Sequence, residues 1–583
     1  MTLGIAATLS TGMNPVFAAT RTSLPLPARP AHSVAHSDFG MVATGSPEAT
    51  AAAVKILEMG GNAVDAAISA SLTLGASDPD ASGIGGMTYM VIHFANGQAL
   101  AIDGTSPTPM VVEPDRLQEL KLDGRLYGHE LVAVPTTLAV LERARTRFGT
   151  LDLETLIEPA IAVAESGYRV APVQIIWTDY YREEFLSSGY IRGIAYPDGK
   201  EVGTVGQLLC RPDLAKALRR IARDGVRTFY RGRMADQIEA DMIKNGGFLR
   251  KIDLARLRVR EVQPLHTTYR ETDVLTFPPP GGGATLVEVL NTLEAFPTAF
   301  LAEDTAARHH VLLETFRIAL ADRGLAPETL HPLQMRLSPA TSKAHARRRA
   351  NMIEPGKLIP DSDLYGEVGP ECAPPGESTT HISVVDRSGN VVSLTQTLGR
   401  SWGAKVATPG LGFPYNSFLE TFNYDKPQCP GYLQPHIPCP TDMAPTIVLA
   451  EDGTLLAALG SPGSDLIPAI IANVVSNLVD RRMSLEEAIS VPRVLLGGLD
   501  VFGPYIEVTG TVTGDDVDEL ESMGHEIVER YSYPPLSRTI VLYGGVNAVG
   551  WDAEGMTFVG VGDGRRWGSA QGARVVAEAA PIH

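Results

Sequence analysis

Apolar and polar positions alternate with a helical period through the first half of the chain. Ala51, Ala52, Val54, Ile56 and Leu57 form the apolar side of a run that Ser46 caps, Pro47 begins and Gly60 closes. Asn62 starts a second run, 63–74, ended by Gly75, and its alanines predict close packing in a buried helical layer. Further helix-period segments cover 153–165, 213–224 and 308–323. Residues 277–285, with three prolines and three glycines in a row, predict a loop, and no Gly-Lys-Ser/Thr follows to make it a phosphate cradle.

The pattern changes near residue 354. The stretch 354–378 has no clear period and is rich in Pro and Gly, so it reads as an exposed linker. Period-2 segments follow: 381–386, a Ser388-Gly389 turn and 391–398 make one hairpin. A second hairpin joins 446–450 to 454–459 through Asp452-Gly453. It runs into Gly460-Ser461-Pro462-Gly463-Ser464 and then an apolar helix over 467–479. Strands flanked by helices predict a layered α/β or α+β sandwich, without internal repeats.

Composition narrows the function classes. The 583 residues are 44% apolar and 20% charged, ordinary for a large globular protein. A net charge of −18 without a basic run argues against nucleic acid and against an anionic membrane surface. No stretch reaches the length of a membrane-spanning helix. Residues 3–17 are uncharged and Val16-Phe17-Ala18 offers small residues at signal-peptidase spacing, although no Lys or Arg precedes them. Residues 1–19 are therefore read as a signal peptide and the protein as periplasmic or secreted; the alternative is an unstructured tail on a cytoplasmic protein. Four cysteines without a CxxC pair give zinc no support. Cys429 and Cys439 are either a disulfide or two thiols. His309-His310 reads as structural, because neighbouring helix positions point about 100° apart.

Two places invite chemistry. Glu377-Ser378-Thr379-Thr380-His381 joins the linker to a strand, and Gly463-Ser464 stands where a strand feeds a helix and leaves backbone N–H groups without intrahelical partners. A hydroxyl nucleophile opposite such groups makes an acyl-transfer site, since they stabilise an oxyanion. A threonine gains a base when the chain is cut before it, because the new α-amine has a reference pKa of about 7.7–8.0. Taken alone, Thr-Thr-His at a strand start is ordinary strand composition.

Residues 379–403, TTHISVVDRSGNVVSLTQTLGRSWG, resemble the signature of the γ-glutamyltranspeptidase family of N-terminal-nucleophile hydrolases. Further blocks match in order: 60–67 (GGNAVDAA), 82–86 (SGIGG), 158–167 (EPAIAVAESG), Ala444-Pro445-Thr446, 460–463 (GSPG) and 483–493 (MSLEEAISVPR). The resemblance spans most of 40–575. It implies an α+β, four-layer αββα sandwich built jointly by a large chain, 20–378, and a small chain, 379–583, after autocatalytic cleavage of Ser378–Thr379. It makes Thr379 the nucleophile, its own amine the base, and Thr397 the residue that hydrogen-bonds and orients it. The N–H groups of Gly463 and Ser464 become the oxyanion hole, with Ser464 in place of a glycine.

The substrate-binding positions depart from the family. The arginine that grips the γ-glutamyl α-carboxylate matches Asp103, an asparagine matches Gly399, an aspartate that holds the α-amine matches Thr421 after Glu420, and two serines match Thr441 and Asp442. Opposite charges at about 4 Å attract by roughly 4 kcal/mol at an effective dielectric of 20, and like charges repel as much. Asp103 and Asp442 should therefore oppose a glutamyl carboxylate. Arg400 or Lys405 could restore a positive charge, although a solvated surface side chain is the commoner role for either. The resemblance thus implies an amide-cleaving acyltransferase or hydrolase without cofactor or metal, on a small-molecule amide. The acyl group is γ-glutamyl, or another group as in a cephalosporin-acylase-like or specialised-metabolism relative. A processed but inactive binding protein is the reading from another class.

Overall fold

The hairpin expected near 381–398 forms the middle of a seven-stranded sheet. Its strands run in the order Ser569–Gly572, Gly40–Thr44, Ser378–Asp386, Val391–Gly399, Met87–His93, Ala99–Gly104 and Arg260–Val262. A second seven-stranded sheet has the order Ser33–Ser37, Thr557–Gly562, Asn547–Asp552, Leu455–Gly460, Thr446–Leu449, Thr272–Thr276 and Leu265–Tyr269. Every pairing within both sheets is antiparallel. Both take strands from either side of Thr379. The computed structural model describes residues 31–196, 203–325, 339–365, 378–427, 431–497, 503–507, 512–527, 529–531 and 544–575.

The sheets stack, and alternation along the strands decides what lies between them. Ser383 Oγ donates to Asn547 O at 3.0 Å, Ser393 Oγ to Leu459 O at 3.2 Å, and Asn547 Nδ2 to His381 O at 3.2 Å. The next positions point the other way: Ile382, Val384 and Leu394 pack with helices Pro47–Glu58 and Ala63–Ser77. Helices Gly283–Leu293 and Ile467–Val479 cover the second sheet, and helix Ala306–Leu325 packs on the first of them. The result is the four-layer αββα sandwich. With both faces covered, strand Val391–Gly399 is buried at every position, which explains its nearly unbroken Val, Leu and Thr sequence.

Local chemistry sets the helix starts as expected. Ser46 accepts a bond from the Ala49 N–H at 3.2 Å, and Asn62 with Asp65 forms a capping box. The second helix ends later than the sequence suggested, continuing through Gly75 to Ser77. A Cβ on Gly75 would lie 3.1 Å from Gly83 Cα, so this glycine serves close packing rather than termination. The helix expected at 467–479 is found with those bounds.

Two further expectations need correction. The segment after 354 is not uniformly an exposed linker: it contains helix Asp361–Tyr365, and Ile359 and Leu364 are buried in the second core. The Ile359 N–H donates to Glu314 Oε2 at 2.7 Å, which ties the segment down. Residues 366–377 lie outside the described residues. The loop begun at Phe277 is shorter than expected, because a helix starts at Gly283. The expected signal peptide and Cys429 also lie outside the described residues, while Cys439 is buried. His309 and His310 take separate partners, Asp304 at 3.4 Å and His525 at 2.8 Å, in keeping with structural roles. Among the described residues, no helix is long and apolar enough to cross a membrane.

Candidate active site

Thr379 stands at the start of strand Ser378–Asp386, opposite Thr397 in register, with an irregularity between Ser378 and Thr379. Thr397 in turn lies opposite Met87. Thr379 is 1% exposed, and its Oγ1 has no hydrogen-bond partner. A buried hydroxyl without a partner forfeits about 1–3 kcal/mol. The expected hydroxyl bond from Thr397 to Thr379 is therefore not formed in the intact chain. Thr397 Oγ1 instead accepts the Gly399 N–H at 2.9 Å, which fixes its position.

Below Thr379, on the same face, lies His381. Its Nδ1 meets Thr395 Oγ1 at 2.8 Å and its Nε2 meets Ser383 Oγ at 3.0 Å. Burial pushes the imidazole down to about 3, so it stays neutral at physiological pH and is no base for Thr379. Gly460, at the end of the neighbouring sheet's strand, packs on this ring. A Cβ there would lie 2.3 Å from His381 Nδ1 and 2.4 Å from Cε1. Both ring nitrogens are pinned, so the ring has nowhere to go. Gly460→Ala is expected to cost about 1–3 kcal/mol by overpacking, read as a lowered unfolding midpoint; an unchanged midpoint would refute this packing account.

From Gly460 the chain passes through Pro462 to the Gly463-Ser464 turn, and Pro462 shares a cavity wall with Thr379. Gly463 has φ 143° and Ser464 φ 63°, both in the left-handed region. A serine held there stores of order 1–3 kcal/mol of strain, a cost typical of functional turns. The Gly463 N–H makes no hydrogen bond among the described residues. Helix Ile467–Val479 follows after one short turn at Ser464–Leu466.

The expected substrate residues fall into two groups beyond Thr397. Gly399 and Arg400 abut the turn Phe418–Thr421: the Arg400 N–H donates to Ser417 Oγ at 3.1 Å, and Arg400 Nε lies 2.8 Å from Glu420 Oε2. Ser417 Oγ donates to Glu420 Oε1 at 2.7 Å, and Thr421 Oγ1 to Phe418 O at 2.8 Å. Burial leaves Glu420 above its ordinary range, and Glu420 holds Arg400 above its own. Lys405 is fully buried, 3.4 Å from Glu184 Oε2 and 3.9 Å above the Tyr181 ring. Neither cation is a solvated surface group, which corrects that expectation.

The second group contains Asp103, Thr441 and Asp442. Asp103 pairs with Arg260 at 2.5 Å and accepts the Thr105 hydroxyl at 2.6 Å. Thr105 meets the hydroxyl of Tyr89, whose ring stacks on Phe277. Thr441 Oγ1 accepts the Met443 N–H at 3.2 Å, and Asp442 pairs with Arg323. The sequence expectation that Asp103 and Asp442 present bare repelling charges is thus wrong. Each is neutralised by an arginine from far earlier or later in the chain, which no local pattern reveals.

Sequence reasoning missed several residues that share a cavity with Thr379. Its cavity, of about 20 Å³, is also walled by Asp78, Asp80, Trp177, Asn547 and Arg566. Two carboxylates in the otherwise apolar stretch between the 63–77 helix and 82–86 (SGIGG) were the available signal. Among the described residues, one metal-compatible group occurs, Glu288, Asp322 and His345, but Arg349 already occupies both Asp322 oxygens.

Comparison with known proteins places this arrangement. The γ-glutamyltranspeptidase family model matches residues 49–573. A glutathione hydrolase proenzyme of Pseudomonas sp. (strain A14) is 32% identical over 475 residues, 78% of this chain and 81% of that protein. The Acylase ACY 1 proenzyme of Pseudomonas sp. (strain SE83) is 32% identical over 529 residues, 88% of this chain and 90% of its own. The crystal structure of cephalosporin acylase from Bacillus halodurans superposes with a TM-score of 0.79 at 25% identity, covering 95% of this chain and 99% of that one. With its ordered motifs, its αββα layers and a family match across most of its length, the chain belongs to the γ-glutamyltranspeptidase family of amide-cleaving hydrolases and transferases.

Proposed function

We propose that the chain cuts its own Ser378–Thr379 bond and then uses Thr379 to carry an acyl group from an amide to water or to an amine. The observation that carries this reading is the buried, unpartnered Thr379 hydroxyl in a cavity shared with Pro462. In maturation, Thr379 Oγ1 attacks the Ser378 carbonyl carbon, the peptide C–N bond breaks, and the acyl group moves to oxygen. Water then hydrolyses that ester, leaving a carboxylate on Ser378 and a free α-amine on Thr379. The large chain would end at Ser378 and the small chain begin at Thr379.

In turnover, the α-amine takes the hydroxyl proton as Oγ1 attacks the substrate carbonyl. The oxyanion is met by the N–H groups of Gly463 and Ser464. The amide C–N bond breaks, the amine passes its proton to the leaving nitrogen, and water or an acceptor amine resolves the Thr379 ester. Thr397 positions the nucleophile. Intact Thr379 and Thr397 weigh against an inactive binding protein.

The acyl group favoured is one without an α-ammonium, as in glutaryl amides. Glu420 is spent on Arg400 and Ser417, the Thr421 hydroxyl on Phe418 O, and Asp442 on Arg323. No carboxylate in these two groups is left to receive a glutamyl ammonium. An unpaired buried charge costs a few kcal/mol, so glutaryl p-nitroanilide should exceed γ-glutamyl p-nitroanilide by about 10²-fold in kcat/KM. Removing the α-carboxylate from the γ-glutamyl substrate should make matters no worse. The reverse order, with loss on removing that carboxylate, returns the second reading, γ-glutamyl transfer, which the 32% identity to glutathione hydrolases favours.

A further inference from the structure

The cleavage proposed above needs a proton acceptor of its own. Until the Ser378–Thr379 bond is cut, the nitrogen of Thr379 is an amide that takes no proton, and His381 has both ring nitrogens engaged. The space beside Thr379 offers another route. It measures about 20 Å³, room for one water, and Asp80 and Asn547 share its wall with Thr379. Thr379 Oγ1, Asp80 Oδ1 and Asn547 Oδ1 are each buried without a hydrogen-bond partner in the protein. Three such oxygens around one water-sized space match the valences of a single water. It donates one proton to Asp80 and one to Asn547, and accepts the threonine hydroxyl. The two acceptors are anchored from behind. Asn547 Nδ2 donates to His381 O at 3.2 Å, the Trp402 N–H donates to Asp80 O at 2.7 Å, and Asp80 Oδ2 lies 3.5 Å from Ser401 Oγ.

We propose that one water held by Asp80 Oδ1, Asn547 Oδ1 and Thr379 Oγ1 relays the threonine proton to Asp80 when the chain cuts itself. The inference rests on Thr379 as nucleophile. As Oγ1 attacks the Ser378 carbonyl carbon, its proton passes to the water, and one of the water's protons passes to Asp80. When the C–N bond breaks, the same route returns that proton to the departing Thr379 nitrogen. The nitrogen becomes the α-amine, Asp80 is ionised again and the water is not consumed. Asp80 thus acts through the water and only positions and drains it. Facing Asp80 are Asp78 from the same turn, Arg566 from the 3-10 turn Gly564–Arg566, Ser401 and Tyr168. Burial, only partly offset by Arg566, lifts Asp80 to about 6. Its base form, and with it cleavage, should therefore be lost as the pH falls through that value.

The test uses full-length chain from brief cell-free translation, moved into buffers from about pH 5 to 8.5, with the fraction cut read on a denaturing gel. Wild-type cleavage should show an acidic limb, falling about tenfold per pH unit. Asp80→Asn should be cut at least about 100-fold more slowly and without that limb. Asp80→Glu, which keeps a carboxylate, should regain both. In mixtures of light and heavy water, the wild-type rate should bow below a straight line, because two protons move together along the relay. Circular dichroism shows whether each purified variant is folded; if Asp80→Asn is not, the wild-type isotope curve decides alone. A straight isotope line, or Asp80→Asn with the wild-type rate and limb, overturns the relay. Failure of Thr379 is distinguishable: Thr379→Ala protein that is still cut sinks the nucleophile, whereas an uncut Thr379→Ala beside a normally cut Asp80→Asn sinks only the relay.

Discussion

Thr379→Ala should remain a single chain on a denaturing gel and lose amide turnover by about 10⁴-fold or more. The size of the effect comes from the double use of one atom. In the proposed mechanism Oγ1 is the attacking oxygen in maturation and in turnover, and without maturation the α-amine that would serve as base stays locked in a peptide bond. The substitution should leave the fold intact. The hydroxyl it removes has no hydrogen-bond partner, so nothing else is orphaned, and a buried Thr-to-Ala change of this kind costs of order 1–2 kcal/mol. An unfolding midpoint near that of wild type, together with an uncut chain, separates lost chemistry from lost structure. Thr379→Ser should still be cut, because it keeps a hydroxyl oxygen on the same carbon. Normal cleavage of the alanine variant would show that another group performs the first step.

Thr397→Val should slow both cleavage and turnover by roughly 10²–10⁴-fold. Valine keeps the volume and the strand preference of threonine, so the register of Thr379 against Thr397 should survive. What goes is a hydroxyl held directly across from the nucleophile by the Gly399 N–H. The Thr379 hydroxyl takes no bond from it in the intact chain, so the effect should be larger on turnover, after the new amine and hydroxyl are free to rearrange, than on cleavage. The KM should change little, because Thr397 positions the nucleophile and grips no part of the acyl group. A fall in stability with unchanged rates would mean that Thr397 is only a strand residue.

Much of the scaffold was legible because it is locally determined. Ser46, Asn62 and Asp65 write helix starts into the sequence through side chains that cap their own backbone. The Ser388-Gly389 turn fixes the central hairpin in the same way, and Gly389 supplies the positive φ it needs. Thr379 and Thr397 became visible only through resemblance, since a threonine at a strand start looks like any other. Local reasoning failed where glycine answered a distant contact, as at Gly75 against Gly83, and where sparse periodicity hid burial, as at Ile359 and Leu364. It failed most in the electrostatics. Asp103 with Arg260, Asp442 with Arg323, and the Asp78–Asp80–Arg566 group are pairings across 119 residues or more of chain, except within the Asp78-Pro79-Asp80 turn itself. A charge read singly from sequence therefore says little about the field a substrate meets.

The most direct test of the central claim is the intact mass of the denatured wild-type protein, taken before and within seconds of mixing with glutaryl p-nitroanilide. The account predicts two chains, the smaller beginning at Thr379, and an added glutaryl mass that peptide mapping places on Thr379 alone. An active protein that stays uncut at Ser378–Thr379, or an acyl group found on any other residue, would contradict it.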